Sequence, residues 1–117
     1  MAVTDYDIMR TLEKTIEDTQ SFAATGTTKS WTLTANALTH TIIVDVPDFT
    51  NGITVTLSIT NSDSHEIYAS AALAENTLHV IKAEVPLVGA NTILLTLSGV
   101  AGGSGGDVKT TFYLQGR

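Results

Sequence analysis

Asn51-Gly52-Ile53-Thr54-Val55-Thr56-Leu57-Ser58-Ile59-Thr60 carries the clearest structural signal in the sequence. Ile53, Val55, Leu57 and Ile59 alternate with Thr54, Thr56, Ser58 and Thr60. Successive side chains on a strand point to opposite faces, so the run has one apolar face and one hydroxyl face. Its β-branched residues suit a pleated surface, where their restricted χ1 costs little. Asn51-Gly52 is a turn signal because both residues tolerate positive φ. The stretch therefore predicts an antiparallel strand with one side on a core.

The same period recurs on both sides of this stretch. Trp31 and Leu33 alternate with Ser30, Thr32 and Thr34. Leu38, His40, Ile42, Val44 and Val46 alternate with Thr39, Thr41, Ile43 and Asp45, until Pro47-Asp48 ends the run. Downstream, Asn61–Ser64 reads as a polar turn, and 66–72 as a weaker strand carrying Ile67 and Tyr68. In 77–85, His79, Ile81, Ala83 and Val85 oppose Leu78, Val80, Lys82 and Glu84. Ile93, Leu95 and Leu97 face inward in 92–98, and in the last strand Val108, Thr110, Phe112 and Leu114 alternate with Lys109, Thr111, Tyr113 and Gln115. Between those two lies Val100-Ala-Gly-Gly-Ser-Gly-Gly106, read as a flexible hairpin tip. This is an all-β chain: an antiparallel β-sandwich or jelly-roll-like body of seven to eight strands.

Residues 5–20 break the pattern. Thr4 can cap a helix, with Asp7 three residues on. Ile8, Leu12 and Ile16 recur at four-residue spacing with Met9 beside them, so one amphipathic N-terminal helix is expected. Such a stripe must be buried, on its own sandwich or on a neighbouring subunit. The expected organisation is a helical arm and linker over 1–28 and a β-sandwich domain over 29–117.

Composition narrows function mainly by exclusion. Charged residues make up 15% of the 117, and Thr, with 20 copies, fills the gap. A surface low in charge is cheap to desolvate against another protein. A net charge of −6 with six scattered basic residues does not suit a nucleic-acid backbone. The absence of Cys excludes disulfides, thiolate zinc sites and cysteine nucleophiles. Met1–Asp7 has neither the basic nor the apolar region of a signal peptide, and no run approaches the ~18 apolar residues of a membrane span. These features predict a soluble chain made in a cytoplasm, or one exported without a signal of its own, with no membrane partner.

No constellation for chemistry emerges. His40, His65 and His79 fall on separate segments without metal-ligand spacing, and read as imidazoles at the core edge or in turns. Asn61–Glu66 has too few carboxylates for a calcium loop. Asp45 and Asp48 flank Pro47 as solvent-facing acids. The glycine run lacks the lysine and following helix of a phosphate loop, and Ser104 lacks the strand-to-helix context of a nucleophile elbow. No catalytic, cofactor or metal residue is assigned, and the chain is not expected to be an enzyme. The candidate partner contacts are Ile8, Met9, Leu12, Ile16, Trp31 and Tyr113.

The acidic, Cys-free, Thr-rich chain, its capped N-terminal segment (Thr4–Gln20) and its final strand pair around a glycine-rich tip (Asn91–Ser98, Asp107–Gln115) resemble one group of proteins. These are the small virion proteins of tailed bacteriophages, in particular head decoration or cement proteins with a jelly-roll-like body. That resemblance implies a protein on the capsid exterior, made in the host cytoplasm. It also implies a homo-oligomer, trimer or dimer, bound to the major capsid protein lattice. The alternatives are a carbohydrate- or receptor-binding module of a phage tail or fibre, with Trp31 or Tyr113 as a stacking platform, and a tail structural subunit.

Overall fold

A computed structural model of the protein describes residues 13–115 and contains ten strands in that range. They are β1 (Glu13–Phe22), β2 (Thr28–Thr34), β3 (Ala37–Val46), β4 (Thr54–Thr60) and β5 (Glu66–Ala69), followed by β6 (Leu73–Ala74), β7 (Thr77–Ile81), β8 (Pro86–Leu87), β9 (Ala90–Leu97) and β10 (Gly106–Gln115). One antiparallel sheet, sheet A, has the order β1-β10-β3-β7, with β8 also on β3. The other, sheet B, has the order β2-β9-β4-β5, with β6 also on β4. Taking β5 with β6, and β7 with β8, as interrupted strands leaves eight, and most successive strands cross between the sheets. This is the winding of a jelly roll.

Both interruptions are bridged by hydroxyls. The Leu57 N–H donates to Ser70 Oγ at 2.9 Å and the Ser70 N–H to the Leu57 carbonyl at 2.8 Å, so β4 stays paired between β5 and β6. Between β7 and β8, Thr39 Oγ1 donates to the Ala83 carbonyl (2.6 Å) and accepts from the Val85 N–H (2.8 Å).

The core lies between the sheets. Val55, Leu57 and Ile59 meet Ile93, Leu95 and Leu97 on sheet B, and Ile42, Val44, Val108, Phe112 and Leu114 line sheet A. β4 behaves as its alternation predicts: Ile53, Val55, Leu57 and Ile59 are buried, while Thr54, Thr56, Ser58 and Thr60 face outward. Phe22 and Phe49 meet edge-to-face at 6.3 Å beneath the glycine-rich loop.

Three expectations are corrected. Glu13–Phe22 is a strand, not the C-terminal half of a helix; the rest of the expected helix, with Ile8, Met9 and Leu12, lies outside the described residues. The ten-residue ladder with β10 satisfies this segment's backbone, and its alternation of Ile16, Asp18, Gln20 and Phe22 against Thr15, Glu17, Thr19 and Ser21 fits a strand equally well. The second correction is in β3. Thr41 pairs with Tyr113, but Thr39 pairs with Leu114, so β3 carries one extra residue at His40. The bulge turns Thr39 inward, fully buried, and leaves Leu38 half-buried on the outer side. Third, the glycine-rich loop is held in place. The Gly102 N–H donates to the Ala24 carbonyl (2.8 Å), the Asn51 N–H to the Ala101 carbonyl (3.1 Å), and Ala101 is fully buried.

Candidate interaction surface

Directly opposed residues of antiparallel strands share a face, so the pairing register places side chains on the outside of sheet A. One row runs Glu17–Thr111–Ile43–Val80, the next Thr19–Lys109–Asp45–Leu78. A third holds Thr15, Tyr113 and Thr41, with Lys82 Nζ donating to Thr41 Oγ1 at 3.4 Å. An exposed Asp45 on β3 lies opposite Leu78, and on the β1–β10 side Lys109 stands 3.7 Å from Glu17 with both side chains more than half exposed. Such a pair is worth at most about 1 kcal/mol.

On β7 itself the outward side chains are aliphatic. Leu78 is 56% exposed and Val80 54%, with Ile43 half-buried beside them. Both project outward because His79 and Ile81 take the inward positions, as the alternation over 77–85 predicts. Among the described residues, no strand pairs with the far side of β7. Exposed aliphatics therefore coincide with a row of free backbone donors and acceptors, a combination suited to protein contact.

The outside of sheet B differs. Thr28–Thr96–Thr56, Ser30–Leu94–Ser58 and Thr32–Thr92–Thr60 form three rows without a charge. This is the hydroxyl surface that the opening stretch predicts, extended over three strands.

The candidate contact residues separate. Tyr113 is half-buried on the outside of sheet A, its ring 6.1 Å from that of His40. Ile16 and Trp31 are partly buried and pack against the core. Ile8, Met9 and Leu12 lie outside the described residues. Leu78, Val80 and Ile43 are not among the candidates the sequence singles out, although strict alternation around His79 is a signal that exposes Leu78 and Val80. The histidines do not converge: His79 Nε2 lies 2.8 Å from the Ala74 carbonyl, and His40 Nδ1 lies 2.9 Å from Thr41 Oγ1. Among the described residues no group of three or more His, Asp or Glu side chains is placed to hold a metal, and no helix is long and apolar enough to cross a membrane. Burial pushes the Tyr68 hydroxyl above its ordinary pKa, and Tyr68 lies on β5 of the other sheet.

No protein-family model and no curated protein matches this chain. Solved structures do. A chain of the cyanophage Pam1 capsid asymmetric unit superimposes with a TM-score of 0.59 at 18% identity, covering 90% of this chain and 85% of that one. A Bacillus endospore appendage protein, from a family of disulfide-linked pili, gives 0.53 at 12% identity over 91% and 88%. VP2 from a subviral particle of infectious bursal disease virus gives 0.48 at 12% identity, covering 91% of this chain but 33% of that one. At such identities the likeness is one of fold.

Proposed function

We propose that this protein is a structural component of a virus particle that binds the outer capsid surface and stabilises the head through oligomeric protein–protein contacts. The observation that carries the reading is the outer face of sheet A, where Leu78, Val80 and Ile43 adjoin the open edge of β7. The fold supports it, because a chain of nearly the same length in a phage capsid asymmetric unit shares it almost end to end. The appendage likeness is less apt, since disulfide-linked pili need cysteines and this sequence has none. Trp31 packs on the core, which weakens the sugar-stacking alternative. On this reading, Tyr113 is a rim residue of the contact face, and the partners are the major capsid protein lattice and further copies of the chain, as a dimer or trimer. Avidity from symmetry multiplies individually modest contacts.

The test is binding to capsids stripped of accessory proteins. The wild-type protein is expected to co-sediment with them and raise their disruption temperature. Leu78→Lys and Val80→Lys should each weaken binding about tenfold or more, because each removes roughly one exposed aliphatic anchor from the contact. Both should leave the unfolding midpoint nearly unchanged, since neither side chain is in the core. Thr92→Lys, on the outside of sheet B, serves as the control. If it matched the sheet A variants, or if wild-type protein left every candidate capsid unaffected, the reading would be wrong.

A further inference from the structure

The edge strands of the two sheets differ in charge. β1 carries Glu13, Lys14, Glu17 and Asp18, β2 carries Lys29 and β5 carries Glu66. Among the described residues, β7 alone of the edge strands longer than two residues holds no Asp, Glu, Lys or Arg. Charge on an edge discourages another chain from adding to it, so β7 is open to such pairing.

The hydrogen-bond register shows which groups of β7 are free. β7 pairs with β3 without a shift, from Thr77 opposite Val46 to Ile81 opposite Ile42. One step before Thr77, the Asn76 N–H donates to the Pro47 carbonyl at 3.0 Å. Bonded and non-bonded pairs alternate along an antiparallel ladder. The N–H and carbonyl groups of Leu78 and Val80 therefore face Asp45 and Ile43. Those of Thr77, His79 and Ile81 point away from β3, and no backbone group of the described residues meets them.

These free groups complement a second copy of themselves. A two-fold axis beside His79 sets it opposite His79 of the second copy, and sets Thr77 opposite Ile81 at both ends. Every free donor and acceptor of both strands then has a partner. Moving the axis along by one position leaves Thr77 or Ile81 unpaired. Leu78 and Val80 fall in the non-bonded positions, where opposed Cα atoms approach to ~4.5 Å and side chains lie closest. Leu78 of each copy meets Val80 of the other, and Ile43 extends each row on the Val80 side. The exposed aliphatics thus cover one another. Asp45 ends each row on the Leu78 side, and the two Asp45 positions lie roughly 16 Å apart, beyond the ~8 Å Debye length of physiological salt.

We infer that β7 pairs antiparallel with β7 of a second copy about this axis, so that two copies share one continuous sheet A. The inference rests on the proposal that this face serves assembly, and it names a second copy as the partner.

The chain contains no cysteine, so single thiols report the register. Full-length Leu78→Cys and Val80→Cys are treated with oxidised glutathione, each alone and as an equal mixture. The mixture should give a disulfide-linked heterodimer about tenfold faster than either variant links to itself. Only Leu78 opposite Val80 is within disulfide reach, because like positions lie on a diagonal of ~7–8 Å. In sedimentation velocity, the wild-type protein should pass from monomer towards dimer between about 1 μM and 1 mM. His79→Pro removes a free donor and no bond to β3, so it should weaken the dimer about tenfold or more. His79→Ala keeps the N–H and should dimerise like wild type, with circular dichroism showing both variants folded. The cysteine result stands whether or not His79→Pro folds. A monomer at every concentration, self-linking as fast as the mixture, or an undiminished dimer in folded His79→Pro would overturn the inference. No capsid is present in either experiment. Dimers that bind no capsid would therefore overturn only the capsid reading, and capsid binding by a strict monomer only the two-fold pairing.

Discussion

Thr39 shows how one hydroxyl closes a gap in a sheet. It is fully buried, and its oxygen serves both the Val85 N–H and the Ala83 carbonyl where the partner strand is interrupted. Thr39→Val keeps the shape but strands both backbone groups. The expected cost is about 1–3 kcal/mol in urea unfolding, with Thr39→Ser close to wild type. Gly105 makes a complementary case. Its φ is +78°, and a Cβ there would overlap the Phe22 carbonyl oxygen. Gly105→Ala should lower the unfolding free energy by about 2–4 kcal/mol, because both the left-handed backbone and the packed carbonyl resist it. A loss below about 0.5 kcal/mol would mean that the loop can move away from β1.

Among the elements, the two edges of sheet A are managed differently. β1 is a ten-residue edge strand, long enough to template unwanted pairing. Its inward face carries Asp18, half-buried and accepting a 2.6 Å hydrogen bond from Gln20 Nε2. A charge turned toward the interior of an edge strand discourages another chain from adding to it. Asp18→Val should therefore promote self-association, seen as a rise in light-scattering mass at micromolar concentration, with domain stability changed by no more than about 1 kcal/mol. An unchanged mass would remove that role from Asp18. β7, at the opposite edge, carries Leu78 and Val80 and no charge within the strand, so the unprotected edge is the one assigned to contact.

For the molecule as a whole, the winding sets the folding problem. β1 pairs with β10, joining residues 13–22 to 106–115, so nearly the whole chain must be in place before that ladder closes. Non-local pairing carries a loop-closure cost before its contacts form. Refolding followed through Trp31, the sole tryptophan, should take milliseconds to seconds. A single phase completed within about 100 μs would contradict this topology.

Local alternation is enough to establish the all-β class, the antiparallel strands with one face on a core, and the inward set Val55, Leu57, Ile59, Ile93, Leu95 and Leu97. Side-chain alternation is a local property that burial reinforces, so it survives folding unaltered. The outward Leu78 and Val80 were legible in the same way, but their meaning was not, because exposure and an open edge depend on which strands become neighbours. That Glu13–Phe22 is a strand follows from long-range pairing: its residues fit either period, and a ladder to β10, about ninety residues away, selects the extended one. The bulge at His40, with the inward Thr39 and outward Leu38, was likewise settled by pairing with β10 and by the broken partner strand, neither of which leaves a mark in the local sequence. The same holds for the glycine-rich loop, whose composition reads as freedom while its contacts with Ala24, Asn51 and Phe22 hold it in place.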